Sequence, residues 1–177
     1  LWINVPVSSH FKPIIEPLSN QHDRSVFDCG VDVLGRYLCE QAGQDGKKKI
    51  AATFVLIGDK VTSIAGYYTL SSTSIDVGEL PDKISKKLPR YPFMPATSIG
   101  RLAIDKSYQS RGYGEILLVD ALRRSLISTQ QIGSVAVVVD AKDRKAKDFY
   151  EHFQFIAFEN HANRLFLPMT AIQNYFV

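Results

Sequence analysis

The sequence predicts a mixed α/β fold, and three observations lead to it. First, 45% of the 177 residues are hydrophobic, which is enough to bury one ordinary core. Second, two runs rich in β-branched and aromatic residues adjoin at 51–58 and 61–76, and a nearly uniform β-branched run at 134–141 is typical of a strand buried on both faces. Third, amphipathic helical patterns alternate with these runs, and no long linker divides the chain. We therefore expect a single domain over residues 1–177.

The N-terminal half is expected to contain four kinds of element. They are an irregular arm (1–12), a short edge strand (13–18), a helix (28–43) and the two strands of an antiparallel hairpin (51–58 and 61–76). Asp28 is the predicted N-cap of the helix, and Gly43 is its predicted end. Gly66, inside the second hairpin strand, predicts a bulge or the close approach of another backbone.

The C-terminal half is expected to alternate helices and strands. In order, we expect a short helix (83–88), a strand (97–105), a helix (116–126), a strand (134–141), a helix (143–153), two short strands (around 155 and around 165) and a last helix (170–176). The helix over 116–126 carries apolar residues on most of one face, so this face should pack against the sheet.

Two glycines stand where the helix over 116–126 should begin, in the stretch Gln109-Ser110-Arg111-Gly112-Tyr113-Gly114-Glu115. Glycine weakens a helix by roughly 0.5–1 kcal/mol relative to alanine, so its use here needs a local reason. The first N–H groups of a helix have no partner inside it and form a site for anions, which glycines would leave open. The spacing fits neither the dinucleotide fingerprint nor the P-loop, and a plain turn is the alternative.

The pattern Gln109-x-x-Gly112-x-Gly114 resembles the pyrophosphate loop of the GNAT superfamily of N-acetyltransferases. The likeness extends to SIGRLAID before the loop, to VVVDA after the helix, and to AKDFYEHFQF at 146–155, which resembles the A-x-x-F-Y-x-x-x-G-F segment of that superfamily. Gln154 replaces the usual glycine, so we expect a changed turn there. The resemblance implies a mixed, mostly antiparallel sheet that splays at a central parallel strand pair and is flanked by helices.

By this resemblance the cofactor is acetyl-CoA. Its pyrophosphate would lie on backbone N–H groups from about Arg111 to Glu115, supported at its edge by Gln109 and Arg111, and its pantetheine arm would lie along Leu102 and Ile104. The implied cofactor-binding residues come from the strand, the loop and the helix over 143–153: Leu102, Ala103, Ile104, Gln109, Ser110, Arg111, Gly112, Tyr113, Gly114, Glu115, Asp143, Ala146 and Phe149.

Tyr150 is the candidate catalytic residue, because its counterpart in GNAT enzymes is often assigned as the general acid. A phenol of pKa about 10 stays protonated at neutral pH and can protonate a thiolate whose thiol has a pKa of about 8.5. The alternative is a core tyrosine whose hydroxyl is bonded to backbone. No general base stands out, and we expect the scattered histidines to lie on the surface: His10, His22, His152 and His161. A substrate α-amine of pKa about 7.7–8 needs less help from a base than a lysine near 10.4.

Within the superfamily, the chain resembles the GNAT toxins of bacterial toxin-antitoxin pairs, which acetylate the α-amine of aminoacyl-tRNA and stop translation. The similar segments cover most of residues 20–175: 27–38, 53–75, 88–105 and 165–172. The resemblance implies aminoacyl-tRNA as substrate, a ribbon-helix-helix antitoxin, a homodimer, and contact with DNA only through the antitoxin. Clustered basic residues should contact tRNA phosphates: Lys47, Lys48, Lys49, Lys86, Lys87 and Arg90.

Other features bear on the cellular setting. Cys29 and Cys39 form no CxxC pattern and have no nearby histidine pair, so we expect free thiols and no metal site, with a single disulfide as the alternative. No apolar run approaches the roughly 20 residues that span a bilayer, and the first residues lack a signal-peptide pattern, so we expect a cytoplasmic protein. Two other functions stay open. They are acetylation of a small amine or a protein N-terminus, and a non-catalytic coenzyme A module that binds a partner or DNA.

Overall fold

The structure is a computed structural model that describes residues 13–60 and 62–176. The irregular arm predicted over 1–12 lies outside the described residues. The helices and strands follow in this order: β1 (Ile15–Pro17), α1 (Asp32–Arg36), α2 (Ala42–Lys47), β2 (Ala52–Ile57), β3 (Ile64–Asp76), α3 (Asp82–Ser85), β4 (Phe93–Ile104), α4 (Tyr113–Ser128), β5 (Ala136–Asp140), α5 (Arg144–His152), β6 (Ile156–Phe158), β7 (His161–Pro168) and α6 (Met169–Tyr175). A π-helical turn, Tyr37–Gln41, joins α1 to α2.

The strands form one seven-stranded sheet in the order β1-β2-β3-β4-β5-β7-β6. Strands β4 and β5 are parallel, with Thr97 opposite Val137 and Ile99 opposite Val139. The pairs β1–β2, β5–β7 and β6–β7 are antiparallel. Residues 136 to 139 of β5 are all buried, which agrees with its uniform apolar sequence. The predicted mixed α/β fold with a parallel pair inside the sheet is therefore confirmed.

The chain divides into two compact units. The first holds the described residues up to Thr69 together with Arg101–Asp120, and the second holds Leu70–Gly100 together with the described residues from Ala121 on. Strands β3 and β4 and helix α4 each contribute residues to both units.

The core of the first unit packs the helical segment around Leu38 against Val55 and Tyr67, which are all fully buried. Gly66 on β3 lies where a side chain would clash, because a Cβ there would come within 2.9 Å of the carbonyl oxygen of Ala103 and still closer to the Ile104 side chain. The predicted close approach of another backbone at Gly66 is confirmed.

The predicted helix over 28–43 is wrong at both ends. Helix α1 begins at Asp32 after Val31, because the carboxylate of Asp28 is used elsewhere: it accepts the N–H of Gly30 at 2.8 Å and pairs with Lys106 at 2.7 Å. The helical segment also continues through Gly43 and ends with α2 at Lys47. Glycine does not end this helix, since the stabilising contacts of its buried face override a weak local preference.

The core of the second unit is built from β5, β7 and the segments around them, with Val138, Phe158 and Phe166 at its centre. Helix α6 contributes Ile172, which is fully buried. None of the helices in the part of the chain that the structure describes is both long and apolar enough to cross a membrane.

Candidate active site

The loop between β4 and α4 contains two residues in the left-handed region of backbone conformation. Ser110 has a φ of 61° and Gly112 a φ of 79°. A Cβ built on Gly112 would meet no heavy atom within 4 Å, so the space beside this residue is open. Left-handed residues within a turn direct successive N–H groups towards one side, which is the geometry of an anion-binding concavity.

Several backbone N–H groups around the start of α4 are available to bind a ligand. The first helical bond runs from the N–H of Ile116 to the carbonyl of Gly112 at 3.3 Å. Among residues 111–115, four backbone N–H groups donate to no other group of the described residues: those of Arg111, Gly112, Gly114 and Glu115. Free donors at the positive end of a 16-residue helix form an anion site, and with the open space at Gly112 they fit a diphosphate.

Gln109 fixes the loop from within. Its side-chain Nε2 donates to the carbonyl of Cys29 at 3.1 Å and to the carbonyl of Ile104 at 3.0 Å. Since both amide donors are engaged by backbone, this side chain positions the loop and has no donor left for a phosphate. Gln109 thus supports the loop by binding backbone carbonyls and not by donating to the pyrophosphate.

Two aspartates, Asp28 and Asp105, also brace this region. Asp105, which is 9% exposed, accepts the N–H of Ser107 and the N–H of Asp28, each at 2.9 Å. The ion pair with Lys106 and the N–H of Gly30 hold the pKa of the Asp28 carboxyl below its ordinary value. Sequence analysis missed this network, because nothing in a local pattern indicates that residue 28 contacts residue 105.

Tyr108 connects the loop to the turn between β2 and β3. Its hydroxyl oxygen accepts the N–H of Asp59 at 2.9 Å, and a Cβ on Gly58 would come within 2.6 Å of that oxygen. The guanidinium of Arg111 lies 5.5 Å from the centre of the Tyr108 ring, and the ring of Tyr113 lies 6.0 Å from it. The predicted contact residues Arg111 and Tyr113 are therefore held by the same aromatic side chain.

The last residues of β4 differ in what they offer to a pantetheine arm. Ala103 is buried, with 6% of its surface exposed, whereas Leu102 and Ile104 are half-buried. The carbonyl of Ile104 is already engaged by Gln109. Leu102 is therefore the residue of this trio best suited to bind an extended ligand through its backbone.

Helix α5 begins with a closed cap. The Asp143 carboxylate accepts the N–H of Ala146 at 2.8 Å, and this bond lowers the pKa of Asp143. Two aromatic rings follow on the helix and a third directly after it, with the ring centres of Phe149 and Tyr150 5.3 Å apart and those of Phe149 and Phe153 5.2 Å apart. Asp143 and Ala146 thus stabilise the helix that carries Tyr150, and their contact with a cofactor stays a prediction.

The side chain of Tyr150 is held by packing alone. It is 7% exposed, and its ring packs against Phe155 with 5.4 Å between ring centres. Within residues 13–60 and 62–176, its hydroxyl makes no hydrogen bond, so the alternative of a hydroxyl bonded to backbone is wrong. Burial raises the pKa of the phenol above its ordinary value of about 10, which keeps it protonated at neutral pH.

The turn after α5 fixes this packing. Gln154 has a φ of 65°, its N–H donates to the carbonyl of Glu151 at 2.9 Å, and the N–H of Phe155 donates to the carbonyl of Tyr150 at 3.1 Å. These bonds form a Schellman motif, whose left-handed residue is usually glycine. The expected change of the turn at Gln154 is wrong, because glutamine adopts the conformation that glycine favours.

The predicted tRNA contacts are all exposed and lie in both units. Lys47, Lys48 and Lys49 end the helical segment of the first unit, and Lys86, Lys87 and Arg90 follow α3 in the second. Lys86 pairs with Asp82 at 2.8 Å. For the other five, no ion pair with a described residue is present.

The histidines and cysteines offer little for catalysis. His22 is buried, contrary to expectation, with its ring nitrogens engaged by the Ser19 N–H at 3.0 Å and by Glu16 at 2.8 Å. His152 and His161 are exposed, and His10 lies outside the described residues. Both cysteines are free thiols, and no group of metal-ligating side chains occurs among the described residues.

Comparison with known proteins places this geometry in a family. An acetyltransferase (GNAT) domain profile matches residues 93–173. The probable toxin TacT of Sinorhizobium fredii is 31% identical over 92% of this chain and 94% of its own length. A tRNA-acetylating toxin of Mycobacterium tuberculosis is 31% identical over 78% of this chain and 81% of its own.

Solved structures agree with these relatives. A crystal structure of a KacT mutant is similar with a TM-score of 0.88 and 34% identity, over 94% of this chain and 100% of that one. A structure of AtaT complexed with acetyl-methionyl-tRNAfMet gives a TM-score of 0.87 and 30% identity, over the same shares. The chain belongs to the GNAT acetyltransferases and, within them, to the toxins of the TacT, KacT and AtaT type. The predicted acetyltransferase class and the predicted cofactor, acetyl-CoA, are confirmed.

Proposed function

We propose that this acetyltransferase modifies the α-amine of aminoacyl-tRNA and thereby blocks translation. Two relatives support this substrate, since one is named a tRNA-acetylating toxin and another forms a complex with acetyl-methionyl-tRNAfMet. The observation that carries the proposal is the buried Tyr150 phenol, whose hydroxyl has no hydrogen-bond partner among the described residues. A proton donor without a structural bond is available to a substrate.

The cofactor would be held mainly by backbone. The free N–H groups of Arg111, Gly112, Gly114 and Glu115 would bind its diphosphate, and Leu102 would bind the pantetheine arm. Bound acetyl-CoA supplies the acetyl thioester that an amine attacks directly. The residues of this chain orient the reactants and supply a proton.

Tyr150 would act as the general acid and protonate the departing thiolate. Its ring is fixed by Phe149 and Phe155, so the position of the hydroxyl is defined without a hydrogen bond. Because burial raises the pKa of this phenol, Tyr150 carries its proton at every pH at which the enzyme would work. Neutral phenols suit this role, whereas a phenol bonded to backbone would first have to break that bond.

An α-amine fits the absence of a candidate base among the histidines that the structure describes. His22 is engaged by Glu16 and Ser19, and the exposed His161 is paired with Glu79 at 3.1 Å. An α-amine of pKa about 7.7–8 is about a tenth neutral at pH 7 without any base. A lysine side chain near 10.4 would need one, so aminoacyl groups are favoured over protein lysines.

The tRNA would be bound through its phosphates by the exposed cations Lys47–Lys49, Lys86, Lys87 and Arg90. Such contacts release counterions, so binding weakens steeply with salt. We propose further that the chain works in the cytoplasm as one acetyltransferase domain, as a homodimer, and is neutralised by a ribbon-helix-helix antitoxin. Relatives support the antitoxin, because AtaT has been solved with the C-terminus of AtaR and in an AtaT-AtaR complex with DNA.

The test is transfer of labelled acetyl groups from acetyl-CoA to total charged tRNA. We expect label in the tRNA fraction, released as N-acetylamino acids when the ester bonds are hydrolysed by alkali. Uncharged tRNA is the matched control and should stay unlabelled. Label on free amines or protein N-termini alone would contradict the proposal and identify an ordinary acetyltransferase. Binding of coenzyme A without transfer to any amine would identify a binding module.

A further inference from the structure

A short segment between α3 and β4 combines exposed aromatic rings with exposed cations. We call residues 86–93 the basic-aromatic segment. Tyr91 is 63% exposed and Phe93 is 60% exposed. Rings of this size usually bury much of their surface, and neighbouring exposed rings indicate a surface that binds something.

The segment is held rigidly on its inner side. Ile84 and Leu88 pack against the core of the second unit. The carbonyl of Pro92 accepts the N–H of Val77 at 3.0 Å, and the carbonyl of Pro89 accepts the N–H of Tyr91 at 2.8 Å. Two prolines also restrict the backbone on either side of Tyr91, so little entropy is lost when a ligand binds its ring.

The charge of the segment is positive and largely uncompensated. Lys86 is paired with Asp82, but Lys87 and Arg90 form no ion pair with a described residue. Two free cations therefore stand within a few residues of two exposed rings. Proteins that bind single-stranded nucleic acid combine these two features, since cations contact the phosphates and aromatic rings stack on the bases.

We infer that the basic-aromatic segment is a stacking platform for unpaired RNA bases, and specifically for the single-stranded 3′ end that carries the aminoacyl group. This inference rests on the proposed function for its substrate. Tyr91 and Phe93 stack on bases, and Lys87 and Arg90 contact the adjoining phosphates. Duplex RNA does not fit, because its bases are already stacked on each other and its deep major groove excludes side chains.

A protein partner suits this surface less well. The centres of protein interfaces are depleted of charged residues, whereas here three cations and two exposed rings lie within eight residues of the chain. A second copy of this chain would also bring its own two free cations against a surface that already has two. An RNA strand brings one negative charge per nucleotide, so charge complementarity favours RNA.

The test uses a short unpaired oligonucleotide, ACCA without an aminoacyl group, and measures its binding to the protein in the absence of acetyl-CoA. We expect Tyr91→Ala and Phe93→Ala each to weaken binding by roughly ten-fold or more, since each removes one stacking surface. Tyr91→Phe keeps the ring and should bind as the unchanged protein does. Ile132→Ala, at an apolar position that is 73% exposed, is the matched control and should have no effect.

Melting temperatures of all four variants should match that of the unchanged protein, because the substituted side chains are exposed. An RNA hairpin without unpaired ends should bind equally to Tyr91→Ala and to the unchanged protein. Equal ACCA binding by all variants would overturn the platform. A change from dimer to monomer in sedimentation of Tyr91→Ala or Phe93→Ala would also overturn it, because the rings would then belong to a protein interface.

The same variants separate this inference from the proposed function. If the unchanged protein acetylates aminoacyl-tRNA but the rings do not affect ACCA binding, only the platform fails. If binding depends on the rings but the unchanged protein transfers no acetyl group to aminoacyl-tRNA, only the proposed function fails.

Discussion

The first turns of α4 and α5 differ in what their backbone N–H groups bind. At α5, the Asp143 carboxylate accepts the N–H of Ala146 at 2.8 Å and closes the helix end. At α4, glycines stand where a capping side chain could be, and the N–H groups of Gly114 and Glu115 donate to no described residue. A helix end that could be capped at little cost, but is left open, is available for a ligand. The closed end stabilises the helix that carries Tyr150.

The largest expected effect comes from closing the open helix end. Gly112→Asp places a carboxylate beside the N–H groups that would bind a diphosphate, so we expect coenzyme A binding to weaken by roughly 100-fold or more. Gly112→Asn is the matched control, because asparagine also tolerates the left-handed conformation and has nearly the same shape. It should bind within about five-fold of the unchanged protein, measured by calorimetry. Equal loss in both variants would mean that backbone conformation, and not charge, decides binding.

On α5, the helix with the capped N-terminus, we expect Tyr150 to be the catalytic residue. Tyr150→Phe removes the proton donor but keeps the ring packing, so acetyl transfer should fall by roughly 100-fold or more while coenzyme A binding is unchanged. Because burial raises the pKa of Tyr150, the rate for the unchanged enzyme should rise as the substrate amine loses its proton near pH 8 and should not fall again below about pH 10. Transfer by Tyr150→Phe at the full rate would make this residue purely structural.

Removing the N-cap of α5 should affect the stability of the protein more than its rate of acetyl transfer. Asp143→Ala removes the cap of α5, and we expect the melting temperature to fall by roughly 2–8 °C at pH 7. The pKa of Asp143 is lowered in the folded protein, so the stabilisation is present above the ordinary carboxyl pKa near 4 and is lost as pH falls through the lower folded value. Asp143→Asn keeps a cap and should remove this pH dependence. A loss from Asp143→Ala that is as large at pH 2.5 as at pH 7 would contradict the assignment.

The smallest expected effect concerns the other end of α5. Gln154 adopts a left-handed conformation that costs a non-glycine residue about 1 kcal/mol. Gln154→Gly should therefore raise the free energy of unfolding by about 0.5–1 kcal/mol, measured by urea titration, with no change in acetyl transfer. Gln154→Ala, which keeps the strain, is the control. A lower stability for the glycine variant would mean that the glutamine side chain makes a compensating contribution.

Local patterns predicted the open helix end well, because glycine spacing and the neighbouring strand are both visible in the sequence. They also placed Tyr150 on a helix, and the resemblance to GNAT enzymes supplied its role. They failed where a contact joins distant residues. Gln109 bonds to Cys29, and Asp105 binds the N–H of Asp28, so a predicted helix cap serves as a brace for the loop.

The conformation of Gln154 is a second feature that local sequence patterns do not predict. Its side chain gives no local signal for a left-handed residue, yet the turn is imposed by bonds to α5 and by the packing of Phe155 on Tyr150. Tertiary contacts override local preference at this residue, as they do at Gly43. Sequence patterns therefore predict which elements form and which end of a helix stays open, and the structure supplies the contacts that brace them.

The central claim is that free backbone N–H groups at the start of α4 bind the diphosphate of the cofactor. The most direct measurement is an NMR titration of the amide signals of Arg111, Gly112, Gly114 and Glu115, first with coenzyme A and then with pantetheine, which lacks the diphosphate. We predict large shifts of these four signals with coenzyme A and small ones with pantetheine. Saturated binding of coenzyme A that leaves the four signals in place would contradict the account.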